Sequence, residues 1–265
     1  MLVNENICVS SSRVLLVPYS PHHVPRYHEW MKDPEIQEAT ASEPLTLDEE
    51  YQMQQSWRQD ADKLTFITCQ PVSSLATCSD DQGASEPVQD NNSYQVKPKG
   101  DDAPEKMIGD VNMFLKLEEN DTVDGESSDV PKEVVVGEVE LMIAEKHLQR
   151  KGFGRASLVC FLKYVIDHME QILAEFQGHA TSTQVAELAT ITASGKKQLE
   201  YLVVRIAAKN ERSIALFKSL GFDTVSDRPN VFGELELRKY GLESSGELRM
   251  WMQHYGIEYM ELPYH

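Results

Sequence analysis

Residues 134–157 read VVVGEVELMIAEKHLQRKGFGRAS. An apolar run broken by two glutamates, 134–143, gives way to a short basic turn, QRKGFG, which opens a long segment of helical periodicity. The order is strand, turn, helix. At such a junction the first backbone N–H groups of the helix lack internal partners and the positive end of its dipole sits at the turn, so an anion belongs there. Gly152 and Gly154 remove side chains that would hold a pyrophosphate off the backbone, and Arg150, Lys151 and Arg155 add positive charge beside it. The spacing Gly152, Gly154, Ser157 lacks the third glycine of the dinucleotide fingerprint, and no Gly-Lys-Ser/Thr follows as a P-loop requires. A helix start softened by glycines on a basic surface is the plain alternative.

The string Gln149-x-x-Gly152-x-Gly154 resembles the acyl-coenzyme A signature of the GCN5-related N-acetyltransferases (GNAT), Q/R-x-x-G-x-G/A. A second stretch, LEYLVVRIAAKNERSIALFKSLGF at 199–222, reads as a buried strand, then Lys209 and Asn210, then a short amphipathic helix closed by Gly221-Phe222. Asn210 suits an N-cap and Gly221 a C-cap. This resembles the family's second motif, in which a strand leads to Asn-x-x-Ser/Ala and the helix ends in Gly-Phe. The resemblance implies that Asn210 and Ser213 help hold the pantetheine arm. Two motifs in this order and at this separation displace the plain alternative.

The long opening, NENICVSSSRVLLVPYSPHHVPRYHEWMKDPEIQEATASEPLTLDEEYQMQQSWRQD, taken with QRKGFG and AAKNERSIALFKSLGF, is similar to the N-acetyltransferase 9-like branch of that family. The resemblance implies the GNAT acyltransferase fold, an α/β (α+β) arrangement with a single mixed, largely antiparallel central sheet flanked by helices. It further implies acetyl-CoA as cosubstrate and protein N-acetylation, with the N-terminal amines of α- and β-tubulin as acceptors; a monomer is expected. An acidic enzyme meeting so acidic a partner calls for a local basic or neutral docking patch, expected around Arg26, Lys32 and Arg58. Two rival readings stay open: a non-catalytic scaffold of the same fold acting at microtubules, and acetylation of a small-molecule amine.

Acetyl transfer from a thioester to an amine needs a neutral amine, a hydrogen-bond donor for the developing oxyanion and a proton for the leaving thiolate. Glu138 and Glu140 lie two apart on the central strand and share a face. Glu138, eleven residues before Gln149, occupies the position where the family carries its base, and Glu140 is the second choice. Both facing solvent beside the groove is the bland reading of the pair. The resemblance places the oxyanion donor on a backbone N–H near Leu141, Met142 and Ile143, and the cofactor phosphates on the turn Gln149, Arg150, Lys151, Gly152, Phe153, Gly154, Arg155. One position departs from the pattern. Many members place a tyrosine seven residues after the asparagine, and here that residue is Phe217.

The 265 residues suffice for one domain, 1–265, with loop insertions at 70–106, 118–132 and 178–197. The net charge of −18 disfavours nucleic acid and anionic membrane as partners, which need basic surface. The acidity is uneven: 80–106 holds seven acids and three lysines, and 118–129 holds six acids and no base. Both read as solvated loops without a catalytic role. No apolar run reaches membrane-spanning length and the first ten residues are unlike a signal peptide, so a cytoplasmic location is expected. Cys8, Cys69, Cys78 and Cys160 form no CxxC pair and read as free thiols. His22, His23 and His28 cluster in sequence without carboxylate or cysteine at ligand spacing, so no metal is expected.

Further elements follow from pattern. Strands are expected at 13–18, 63–69, 107–117 and 231–237, the third pairing as a hairpin with the central strand. A helix from Pro21 ends at Asp33-Pro34, and Thr46 to Glu49 is a capping box for another. Leu158, Leu162, Val165, Met169, Ile172 and Phe176 form one stripe along a helix of about six turns. The aromatic tail 241–265 has no single periodicity and reads as a cover for the sheet edge.

Overall fold

A computed structural model describes residues 1–72, 94–120, 132–178, 198–242 and 245–265. The remaining parts of the expected insertions, and Cys78, lie outside the described residues. The chain opens with β1 (Ile7–Ser10) and β2 (Leu15–Pro18), then α1 (Val24–Met31), α2 (Pro34–Thr40) and α3 (Leu47–Gln59). It returns through β3 (Lys63–Cys69), β4 (Met107–Asn120) and β5 (Lys132–Ile143) to α4 (Phe153–Asp167) and α5 (Met169–Gly178). The last third runs β6 (Leu199–Ala207), α6 (Glu211–Lys218), β7 (Asp223–Thr224), β8 (Glu234–Tyr240), α7 (Ser245–Tyr255) and β9 (Met260–Pro263).

All nine strands join one sheet in the order β7-β8-β6-β5-β4-β3-β2-β1-β9. Every pairing is antiparallel except β5 with β6, whose connection crosses through α4 and α5 as parallel neighbours require. The mixed, largely antiparallel sheet expected from the resemblance is what forms. β4 and β5 make the hairpin read from the sequence, in register from Gly109↔Ile143 to Asn120↔Lys132. The β-branched and aromatic run LTFITC lies buried between two helical layers, while Val134 and Val136 pack with Tyr201 and Val203 of the neighbouring strand. On one face α4 packs Leu158, Phe161, Leu162 and Val165 onto Phe66, Val111 and Val139. On the other, Val24, Tyr27 and Trp30 of α1 cover Val17, Ile67 and Met107.

Several elements differ from the sequence reading. The six-turn helix is two helices, because His168 leaves helical geometry (φ −108°, ψ 14°). Its ring stacks on Tyr164 and reaches Glu261 of β9 at 3.0 Å. The Asp33-Pro34 exit is also an entrance: Asp33 caps α2 by accepting the Glu35 N–H at 2.9 Å. The tail does cover the sheet edge, by way of a helix and a strand, with β9 paired to β1. Residues 94–106, expected to belong to an insertion, are built into the body: Val96 bridges Tyr264, and Asp102 is fully buried. Thr46 and Glu49 form the reciprocal capping box as expected. Cys8, Cys69 and Cys160 are buried free thiols, and no helix among the described residues is long and apolar enough to cross a membrane.

Candidate active site

β5 and β6 run together only from Val135↔Leu199 to Glu138↔Val203. Beyond that point β5 continues to Ile143 and β6 to Ala207 with no pairing between them, so the sheet opens into a wedge. The register with β4 fixes which amides face it. Ala144 donates its N–H to the Ile108 carbonyl at 2.9 Å, and hydrogen-bonded pairs recur every second residue. The backbone groups of Glu140 and Met142 therefore turn toward β4, while those of Val139, Leu141 and Ile143 turn into the wedge.

The glycine turn closes one end of that wedge. Gly152 has φ +88° and Arg150 φ +64°, a left-handed pair that folds the chain back on itself. The first intrahelical bond of α4 runs from the Ala156 N–H to the Gly152 carbonyl at 3.0 Å, which leaves the amides of Phe153, Gly154 and Arg155 uncommitted. The Phe153 side chain packs on the core, so only its amide is available. A methyl group on Gly154 would lie 3.5 Å from the side chains of Leu141 and Ile143 and 3.6 Å from Leu216. The strand end, the start of α4 and α6 thus meet at one point. Gln149 fastens the turn by donating its side-chain N–H to the Ile143 carbonyl at 2.9 Å.

Arg150, Lys151 and Arg155 stand at the turn, and a fourth cation joins them. Arg150 and Lys151 have no carboxylate partner among the described residues, and Arg155 lies over the Tyr255 ring at 4.4 Å with its Nε buried and unbonded. Arg13, from the turn between β1 and β2, brings its guanidinium to the same place, 3.5 Å from where a Cβ of Gly152 would be. Sequence reasoning missed Arg13, which lies far from the motif and meets it only because β1 and β2 fold alongside α4. At the other motif Asn210 caps α6, its Oδ1 accepting the Ser213 N–H at 3.2 Å. Phe217 is buried edge-on against Phe222, 5.1 Å between centroids, and offers no hydroxyl.

The two glutamates share a face but not an environment. Glu138 is bound by Arg205 and, at 3.2 Å, by Lys116, and Arg205 in turn holds Glu236 at 3.0 Å. Glu140 has no cation paired with it among the described residues. Its side chain is solvent-accessible yet stands deep in the molecule, and this loss of water, with the charges of Asp110 and Glu138 adding, raises its pKa to about 7. Asp110, almost fully buried, is pushed up to about 6 by burial, against hydrogen bonds from Asn112 (2.7 Å) and Tyr27 (3.3 Å). Asp110 gave no sequence signal beyond its spacing.

Around Arg26, Lys32 and Arg58 the cations are paired or turned inward, so the expected docking patch is not basic. Arg58 is turned inward onto the Met1 carbonyl and Asn4 Oδ1 (2.7 Å), Arg26 pairs with Glu145, and Lys32 with Glu29. The three histidines separate. His28 faces Glu50 at 3.7 Å, whereas His22 and His23 converge on Asp102 with ligand atoms within 4.8 Å of one another. That spacing suits a metal, but the protons do not. His23 Nδ1 accepts the Ser20 N–H at 3.0 Å, so the neutral ring carries its hydrogen on Nε2 and donates it to Asp102 at 3.1 Å.

The family of the acetyltransferase (GNAT) domain matches residues 13–223. An N-acetyltransferase 9-like protein of Schizosaccharomyces pombe is 40% identical over 236 residues, covering 85% of this chain and 92% of its own. Alpha/beta-tubulin-N-acetyltransferase 9 of Homo sapiens is 34% identical, covering 100% of this chain and 96% of its own. Among solved structures, RimL, a ribosomal L7/L12 alpha-N-protein acetyltransferase in complex with coenzyme A, aligns over 88% of this chain and 96% of its own. Its TM-score is 0.50 at 9% identity, a likeness of fold alone.

Proposed function

This chain belongs to the GNAT acetyltransferase family and is an acetyl-CoA-dependent N-acetyltransferase; from that premise we propose that it acetylates the N-terminal α-amine of a protein, with α- and β-tubulin the acceptors to test first. The observation that carries the reading is the wedge between β5 and β6, which sets free amides and an uncompensated glutamate on either side of one strand. Acetyl-CoA supplies the acetyl group as an activated thioester. In this reading the amides of Phe153, Gly154 and Arg155, with Arg13, Arg150 and Lys151, hold its phosphates, and Gln149 and Gly152 shape the turn. Leu141 and Ile143 present amides to the acyl end, Met142 lends its side chain to the acceptor face, and Asn210 and Ser213 set the start of α6 beside the arm between.

Of the two glutamates the geometry favours Glu140 as base. The Glu138 carboxylate is occupied by its bonds to Arg205 and Lys116, whereas Glu140 is free of such partners among the described residues and, with a pKa near 7, is half deprotonated at neutral pH. Glu140 takes the proton of the acceptor ammonium, and Glu138 keeps Arg205 and Lys116 in place. The acceptor and the donor bind to a single chain, and the location is cytoplasmic.

Labelled acetyl-CoA and N-terminal peptides, tubulin's among them, test this. Glu140→Gln should lower kcat at least ~100-fold with acetyl-CoA affinity unchanged by calorimetry, and Glu138→Gln should retain more activity. Full activity in Glu140→Gln would remove the base assignment. Binding of acetyl-CoA with transfer to no peptide would favour a scaffold, the reading to which Phe217 lends its weight.

A further inference from the structure

Asp110 and Glu140 stand on neighbouring strands, on the same face, one residue pair out of step. Asp110 is opposite Met142, and Glu140 is opposite Asn112, which makes the two carboxylates diagonal neighbours. The row through Glu140 continues into the interior by way of Asn112 and Thr65. Beside this row three buried polar atoms, Asn112 Oδ1, Asp110 Oδ1 and Thr65 Oγ1, have no hydrogen-bond partner among the described residues. A buried carboxylate without a cation is costly, so a fold that retains one puts it to use or loses stability for nothing.

We propose that Asp110 is a positioning residue of the acceptor site, a second carboxylate whose charge sets how tightly Glu140 holds the proton taken from the acceptor amine. The inference rests on Glu140 being the base. Two donors fix the Asp110 carboxylate in place, since Tyr27 O–H and Asn112 N–H both bond to its Oδ2, and only 2% of the residue is exposed. The groups facing the pair are few. β5 contributes Glu138, neutralised by Arg205 and Lys116; α1 contributes Tyr27 and His28; α3 contributes Glu50, whose nearest base is His28; and Tyr19 follows β2. No lysine or arginine among the described residues pairs with Asp110 or Glu140, so the Asp110 charge acts on Glu140 with no cation between them. The balance is simple: the ammonium loses one proton, Glu140 gains it, and the negative charge left on Asp110 opposes its departure until the amine has reacted.

The test is the acid limb of kcat/KM, measured with an α-tubulin N-terminal peptide so that the amine's own ionisation is common to all variants. Asp110→Asn keeps the shape and removes the charge. It should move the limb to lower pH by about one unit and sharpen it to a single ionisation, with acetyl-CoA affinity unchanged. A limb that stays in place while Glu140→Gln abolishes transfer overturns the role of Asp110 alone; activity retained in Glu140→Gln overturns the base itself. If Asp110→Asn does not fold, or the peptide is not acetylated, the carboxyl carbon of Glu140 is titrated by NMR in the unmodified protein. Two coupled steps support the pair, and one step with no inflection near that of Asp110 refutes it.

Discussion

At the scale of single residues the contrast between Glu138 and Glu140 shows how little a motif says about protons. Counting along the strand finds both, and only the side chains of Arg205 and Lys116, contributed by β6 and β4, separate them. The same neighbourhood makes a stability prediction. Asp110 has a folded pKa of about 6 against roughly 3.9 in an unfolded chain. A raised carboxyl favours the protonated fold, so its contribution is fully present below about pH 4 and is lost as pH rises through 6. Asp110→Asn should therefore be the more stable protein at pH 8, by on the order of 2 kcal/mol, with the advantage fading toward pH 4. Urea denaturation at the two pH values measures it, and a variant no more stable than its parent at pH 8 would show that the burial is compensated.

At the scale of elements, what could be read in advance was whatever local chemistry dictates. The QRKGFG turn, the capping box at Thr46 and the Asn210 cap are each fixed by residues within a few positions of one another, and each formed; the β4–β5 hairpin joins strands that are neighbours in the chain. The kink at His168, the arrival of Arg13 at the glycine turn and the pairing of Arg26 with Glu145 all depend on partners more than ninety residues away, for which no local pattern exists. Gly109 belongs to the second kind. The sequence shows only a glycine near a strand start, but a Cβ there would lie 1.8 Å from the Met142 carbonyl oxygen, on the strand end that carries Leu141 and Ile143. Gly109→Ala must push β5 away from β4 at the wedge. It should cost at least ~2 kcal/mol and, because the displaced segment holds the free amides, weaken acetyl-CoA binding several-fold. A variant that loses stability but binds acetyl-CoA as before would place the acyl end of the site elsewhere.

For the molecule as a whole, the sheet's far edge is secured by a cluster remote from the chemistry. Asp102 receives His22, His23 and the Tyr264 hydroxyl, at 3.0, 3.1 and 2.6 Å, and so ties the turn before α1, the segment 94–106 and the end of the chain together. Burial alone would raise its pKa, but the three hydrogen bonds outweigh burial and hold the carboxyl far below the usual range. A depressed carboxyl stabilises the fold above its unfolded value near 4, and that contribution is lost as pH falls below it. His23, lowered by burial, acts in the same sense from about pH 6.5 downward. Acid should thus loosen this edge while protonation of Asp110 relieves the interior, and the two are separable by mutation. Asp102→Asn should lose about 3 kcal/mol at pH 7, most of it absent at pH 3, with amide exchange quickening in β9 and β1 before the β4–β5 hairpin. Acetyl-CoA affinity at low temperature should be preserved, since neither Asp102 nor its three partners bonds to a residue of the glycine turn or of the β5 end. If β9 exchanged no faster in the variant than in the parent, the edge would have to be held by the β1 pairing and not by the carboxylate.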